Sequence, residues 1–194
     1  MLKTQPNILL ASKSPRRQEL LKAAGIQFQT IDIDVEETYP DDMEAENVPE
    51  FLARKKAEAA FHFLKDGDLI LAADSVVIMN DEIYGKPGDR QHAIDMISAL
   101  AGHKHLVVTG VFLCDHHDGL GFSEHTYVWF SPMTMDEIEY YVDQYKPFDK
   151  AGAYGIQDWI GLAKVSRIEG SYSNVMGLPV QRVYEELQKW TLTI

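Results

Sequence analysis

The sequence has one cysteine, Cys114, so it can form neither an intrachain disulfide nor a cysteine-based zinc site. That usage suits a reducing compartment and points to the cytoplasm. No stretch approaches the roughly 18 apolar residues of a membrane span, and the opening residues Met1 to Asn7 lack the apolar run of a signal peptide. We therefore expect no membrane partner. Basic residues are scarce, with 18 Lys plus Arg against 30 Asp plus Glu and a net charge of −12. Such a chain has no general affinity for nucleic acid or anionic lipid, and a polyanionic ligand needs a local cationic pocket. Gly-x-Gly-x-x-Gly and Walker-type loops are absent, since proline follows Gly85-Lys86 where a Walker loop has Ser or Thr, so dinucleotide and P-loop readings fail. The 13 glycines and 8 prolines are too few for collagen or a low-complexity linker, and 45% hydrophobic residues exclude intrinsic disorder. At 194 residues the expectation is one domain over 1–194.

What is present reads as alternating strands and helices. Ile8 to Ala11 is a short buried strand. Ser14-Pro15 then starts a helix, with a capping hydroxyl and proline at the first helical position, and that helix ends near Gly25. Ile31, Ile33 and Val35 alternate with acidic residues as a half-buried strand does, and Glu36 to Glu46 is a loop. Pro49 opens a helix with an apolar stripe of Leu52, Ala59, Ala60, Phe63 and Leu64. Lys56 lies four residues from both Leu52 and Ala60, inside that stripe. Leu69 to Met79 is almost continuously apolar, the pattern of a strand covered on both faces, broken only by Asp74 and Ser75. Asn80-Asp81 is a turn, Asp89 caps a helix carrying Ala93, Ile97 and Leu100, and Gly102 closes it. Leu106 to Cys114 and His125 to Phe130 suggest a hairpin turning around His117-Asp118-Gly119. Thr134 and Glu137 have capping-box spacing ahead of Ile138, Tyr141, Val142 and Tyr145, and a last helix follows Pro179 with Val183, Tyr184, Leu187 and Trp190 inward. Together these elements predict a mixed α/β domain.

Several residues in this pattern can carry chemistry. A carboxylate in the most apolar strand is costly unless a cation, metal or donor compensates. Asp74 thus reads as a metal ligand or general base, or else as a strand-end group capping a loop. Ser12-Lys13-Ser14-Pro15-Arg16-Arg17 puts hydroxyls, free N–H groups and two guanidinium groups at a strand-to-helix junction, which is either a phosphate cradle or an ordinary capped helix. Lys56 and Lys86, with Arg16, Arg17 and Lys150, can supply the positive pocket the chain otherwise lacks, although each lysine alone can snorkel to water. In Asp149 to Gln157 the small residues allow close backbone approach. The Gln157 amide can pair with the edge of a base or simply face solvent. His103, His105 and the His116-His117 pair belong to no zinc pattern and read as surface residues, and Cys114 as a buried strand residue.

Seven ordered segments carry a family likeness. They are Ser12 to Leu21, Ala53 to Ala57, Ala73-Asp74-Ser75-Val76-Val77, Gly85-Lys86-Pro87, Thr109-Gly110-Val111, Asp149 to Gln157 and Gly170-Ser171-Tyr172. With them the chain resembles the Maf family of nucleoside triphosphate pyrophosphatases from Ile8 to Leu187. The resemblance implies a mixed, twisted sheet flanked by helices with a central cleft, akin to the inosine triphosphate pyrophosphatases. It also implies hydrolysis of a nucleoside triphosphate to monophosphate and pyrophosphate, a divalent cation (Mg²⁺ or Mn²⁺) and a homodimer. The positions that mark the dTTP and UTP branch fall on Arg16, Ser75 and Gln157, with Ser75 in place of the usual threonine, and Asp74 matches the family's catalytic acidic residue. The expected roles follow. Asp74, Lys56 and Lys86 are catalytic, Ser12, Arg16, Arg17, Ser75, Lys150 and Gln157 bind substrate, and Asp74 with Glu37 holds the metal. The alternatives are a noncatalytic nucleotide-binding regulator of cell division, and a pyrophosphatase for 7-methyl-GTP or inosine triphosphate.

Overall fold

In the computed structural model, which describes residues 6–191, seven strands form one mixed sheet with helices flanking it. The ends of the domain expected over 1–194, including most of the Met1 to Asn7 opening, lie outside the described residues. The strands are β1 (Asn7–Leu10), β2 (Phe28–Thr30), β3 (Asp68–Met79), β4 (Glu82–Tyr84), β5 (Lys104–Cys114), β6 (Gly119–Phe130) and β7 (Val165–Glu169). They are ordered β2-β1-β3-β5-β6-β7, with β4 paired to β3. The helices are α1 (Pro15–Ala23), α2 (Val48–Ala60), α3 (Arg90–Leu100), α4 (Met135–Tyr145), α5 (Trp159–Lys164), α6 (Tyr172–Val175) and α7 (Val180–Thr191). Among the described residues no helix is long and apolar enough to cross a membrane.

The chain divides into two compact units. The first takes residues up to Asp74, Thr109–Glu124 and the segment from Gly177 onward. In it β1 pairs in parallel with both β2 and β3, Leu9 lying opposite Gln29 and Ile70. Side chains on a strand alternate between faces, so Leu69, Leu71 and Ala73 pack with Leu21 of α1 and Val183 and Leu187 of α7. Ile70 and Ala72 pack with Ala57 and Ala60 of α2 instead. Burial on both faces is why this stretch of β3 contains so little polar residue. Gly110 is required where α2 begins, because a Cβ there would stand 2.1 Å from the backbone nitrogen of Glu50. Cys114 is buried in this unit, and the apolar surroundings push its thiol up to about 11.

The second unit comprises Ser75–Val108 and His125–Met176. Its core joins Val77, Val107, Val128 and Phe130 to Ile94, Ile97 and Leu100 of α3, Ile138, Tyr141 and Val142 of α4, and Ile160 of α5. Asn80 and Asp81 both take positive φ, 53° and 63°, the backbone of a tight hairpin turn, and return the chain as β4. Asp89 accepts from the His92 N–H at the start of α3, and Thr134 and Glu137 complete the reciprocal capping box of α4.

The structure corrects several local expectations. Ser14 makes no side-chain cap on α1; the hydroxyl that acts there is Ser12 Oγ, which accepts from the Ser14 N–H at 3.2 Å. Ile31 to Val35 is not a strand. The ladder stops at Thr30, although Ile31 and Ile33 still pack inward against β1 and α2 side chains. Phe63 leaves the α2 stripe and is exposed, because the chain tightens into a 3₁₀ turn over Phe61–Phe63. His105 is no surface residue, being 2% exposed.

Candidate active site

Asp74 is the last residue of the first unit and continues the β3 face carrying Ile70 and Ala72, which packs on α2. Its side chain is 11% exposed. A charge so placed needs a partner, and Lys56 of α2 provides one, its Nζ lying 2.5 Å from Asp74 Oδ1. Lys56 reaches this position because it stands one helical turn from buried Leu52 and from Ala60, on the inward side of α2. The same ammonium donates to Glu37 Oε1 at 2.7 Å. One lysine thus holds two carboxylates, one from a strand and one from the irregular acidic segment, and leaves their remaining lone pairs for other groups.

Glu37 owes its place to a second lysine. Lys55 Nζ donates to the carbonyls of Glu36 and Thr38, at 2.8 and 3.2 Å, and to Thr38 Oγ1 at 3.0 Å. These bonds bracket Glu37, whose own segment has no ladder or helix to fix it.

Arg17 lies within electrostatic range of this cluster. Arg17 is buried in the first turn of α1, where Nε donates to the carbonyl of Gly177 at 2.8 Å and Nη1 to Ser12 Oγ at 3.3 Å. Desolvation draws its pKa below the usual guanidinium value; Asp74 opposes that shift, Arg16 adds to it and Glu37 opposes it. An arginine remains charged through such a shift. The first unit therefore brings Arg17, Lys56, Asp74 and Glu37, with Ser12, within interaction range of one another, and Arg16 adjoins Arg17. Cations are what a chain of net charge −12 needs in order to hold a polyanion.

Among the described residues no three His, Cys, Asp or Glu side chains cluster as metal ligands. Asp74 and Glu37 offer two carboxylates converging on one ammonium, a hard-oxygen donor set. Mg²⁺ is commonly held by one or two carboxylates while phosphate oxygens and water complete its shell, so these two residues fit such an ion.

In the second unit, Ser75 follows Asp74 along β3 and is half-buried. Lys86 and Lys150 lie on two segments that meet. The Gly152 N–H donates to the Gly85 carbonyl at 3.0 Å, and Gly152 takes φ +66° over Val77, where a Cβ would come within 2.8 Å of Val77 Cγ2. Lys150 is mostly buried and pairs with Asp149 at 2.8 Å. Further along this loop, Tyr154 Oη sits 2.8 Å from His105 Nε2, and both rings pack edge-on against Phe130. Burial pushes His105 down to about 4, so the ring is neutral, and it holds the Tyr154 phenol above its ordinary range. Tyr141 Oη accepts from the Gly155 N–H at 3.0 Å and donates to Asp158 Oδ2 at 2.8 Å. Gln157 lies between those two anchor points. It does not face solvent freely, since its Oε1 is buried and has no hydrogen-bond partner among the described residues.

The structure thus collects the expected first-unit residues and, separately, sets Lys86, Lys150 and Gln157 on one connected loop system. Sequence reasoning missed Lys55, Tyr141, Asp158 and the burial of His105. Tyr141 had a signal, because its stripe predicted an inward phenol, and a buried phenol needs a partner.

Comparisons with known proteins identify the family. The chain is 46% identical over 182 residues to the dTTP/UTP pyrophosphatase of Parabacteroides distasonis, covering 93% of this chain and 94% of that one. It is 43% identical over 183 residues to the dTTP/UTP pyrophosphatase of Bacteroides thetaiotaomicron, covering 94% and 95%. Among solved structures, the Ham1 protein of Staphylococcus aureus matches with a TM-score of 0.55 at 15% identity, over 96% of this chain and 98% of that one, a likeness of fold. The model for Maf-like proteins matches residues 7–190, which takes in both units and all ten residues singled out for chemistry, and this chain belongs to the Maf-like protein family.

Proposed function

We propose that this protein is a nucleoside triphosphate pyrophosphatase that converts dTTP and UTP to the monophosphate and pyrophosphate. The observation that carries the reading is the buried Asp74, held by Lys56 with Arg17 in electrostatic range, in an otherwise acidic chain. Curated relatives bearing the name dTTP/UTP pyrophosphatase cover nearly the whole chain at 43–46% identity, which supports the same substrates here. Regulation by nucleotide binding without turnover predicts binding with no pyrophosphate release, and Asp74→Asn would leave such a role intact.

In this reading Asp74 is the general base, or the carboxylate that holds the cation, and either role requires it ionised beside the α-phosphate. A bound Mg²⁺ or Mn²⁺, carried by Asp74 and Glu37, would polarise the phosphate and make a water molecule more acidic. Lys56 aims both carboxylates. Arg16, Arg17 and Ser12 bind phosphate oxygens, and Lys86 neutralises charge on the departing pyrophosphate, with Lys150 alongside. Fixed charges of this kind stabilise the transition state without reorganising. Ser75 and Gln157 meet the nucleoside; Gln157 Oε1 accepts from N3–H of uracil or thymine and its amide donates to O4. The two units serve a single catalytic domain. The buried free Cys114 suits a cytoplasmic setting. Homodimer formation belongs to this proposal through the family likeness alone.

The test is pyrophosphate release across dTTP, UTP, CTP, inosine triphosphate and 7-methyl-GTP with Mg²⁺ or Mn²⁺. Release from dTTP and UTP ahead of the purine nucleotides is expected, and chelation should abolish it. Inactivity toward every pyrimidine triphosphate would end the reading.

A further inference from the structure

Gln157 by itself does not separate uracil from cytosine, because an amide can turn to offer either its acceptor or its donors. Discrimination requires that the amide meet the base at one place, so the backbone beneath it must be fixed. The segment Gly155–Asp158 is a tight turn closed by the Asp158 N–H donating to the Gly155 carbonyl at 3.0 Å, and Asp158 caps α5 without a side-chain bond. What ties both ends of this turn to the core is a phenol. Tyr141 of α4 is fully buried, and its Oη accepts from the Gly155 N–H while donating to the Asp158 carboxylate. The two bonds close a bridge over Gln157. Space at the bridge is tight, since a Cβ on Gly155 would stand 2.6 Å from Asp158 Oδ2 and 3.1 Å from Lys150 Cε. The ring itself has no freedom, being packed in the α3–α4 core and stacked on Tyr145 at 5.1 Å between centroids.

We propose that Tyr141 is a specificity-determining positioning residue, which fixes the Gly155–Asp158 bridge so that the buried, unpartnered Gln157 Oε1 meets a donor at one place on the base. Uracil and thymine present N3–H there, and cytosine presents a lone pair. The proposal rests on the reading that Gln157 faces the base. Tyr141 touches no substrate and acts only through the loop.

Steady-state kinetics of Tyr141→Phe with UTP, dTTP and CTP test it. Loss of the hydroxyl leaves the Gly155 N–H and the Asp158 carboxylate unpaired at no cost in ring packing. The expected result is a KM for UTP and dTTP raised about tenfold, kcat within about twofold, and a UTP-over-CTP preference in kcat/KM reduced several-fold. Amide exchange at Gly155 should quicken in the same variant. Asp158→Asn, which keeps an acceptor for the phenol, should retain the preference, and Asp158→Ala should lose it; this pair decides the matter if Tyr141→Phe does not fold. A variant that loses stability but keeps the preference overturns the role, as does a fall in kcat shared by all nucleotides or a wild-type chain indifferent between UTP and CTP. The two failures are distinct. A wild-type chain that releases no pyrophosphate sinks the pyrophosphatase reading and this proposal with it, whereas an active, selective wild type with an unaltered Tyr141→Phe overturns the positioning role alone.

Discussion

The two units bury polar groups in opposite ways. In the first, Asp74, Lys56 and Arg17 carry full charges that compensate one another, with Glu37 at the edge. In the second, the fully buried polar contacts are neutral, His105 with Tyr154, Asn174 with Thr126, and Tyr141 with the Gly155 amide, touching one carboxylate at Asp158, while its lysines Lys150 and Lys164 pair with more exposed carboxylates. Desolvated charge is expensive to maintain and useful for moving protons and holding phosphate. Neutral hydrogen bonds in a dry core are cheaper and fix geometry. In the proposed reaction the first unit supplies the paired carboxylates and the buried guanidinium, while the second fixes the loop that carries Gln157 and adds Lys86 and Lys150.

Breaking the charged side should have the largest effect. Asp74→Asn keeps the volume and removes the ionised oxygen facing Lys56, so pyrophosphate release from dTTP should fall on the order of a hundredfold or more. Stability should change far less than rate, because a neutral amide at this position still accepts from the ammonium. A variant with near-normal turnover would show that the charged cluster is structural and erase the contrast.

That cluster was also the most legible part of the molecule. Asp74 stood out because an aspartate interrupts eleven residues otherwise suited to a doubly covered strand, and Lys56 because helical spacing alone puts it beside Leu52 and Ala60. Caps were equally readable at Asp89 and Thr134, where the signal is local. The misreadings all concern tertiary context. Ile31 to Val35 has a strand's alternation and packs as one, yet no partner strand continues past Thr30. β4 is three residues long, and β7 mixes Ser166 and Arg167 into an edge strand with no inward period, so neither announces itself. His105 looked like a surface residue because a histidine's burial depends on a partner 49 positions away, Tyr154. Of the candidate site, the residues that carry charge were readable, and those that only position others were not.

The neutral side can be tested by acid. Burial lowers His105 from an ordinary 6.5 to about 4, so above pH 6.5 the ring is neutral in both folded and unfolded chains and contributes no pH dependence. Between pH 6.5 and 4 the unfolded chain binds a proton that the folded chain refuses, and stability falls with pH over that window by about 3 kcal/mol. Denaturant titrations at pH 7 and 4.5 should show this slope in the wild type, and His105→Gln should remove most of it. An equal acid sensitivity in the variant would mean that the imidazole is charged in the fold and that the second unit is not the neutral one.

A smaller effect sharpens the charged side. Lys55 is a half-buried residue that bonds the carbonyls on either side of Glu37 near the surface. Lys55→Met should leave the unfolding midpoint nearly unchanged, because hydrogen bonds made in water contribute little net free energy. The Glu36–Thr38 backbone should nonetheless loosen, so that the Glu37 carboxylate meets Lys56 for less of the time. Activity should drop about two- to tenfold, the range expected from one or two such bonds, and the Mg²⁺ concentration needed for half the maximal rate should rise while the UTP-over-CTP preference stays fixed. Lys55→Arg, which keeps the donors, should recover part of the loss. A change in base preference would mean that the acidic segment acts on the nucleoside, and the assignment of base recognition to the Gln157 loop would fail at that point.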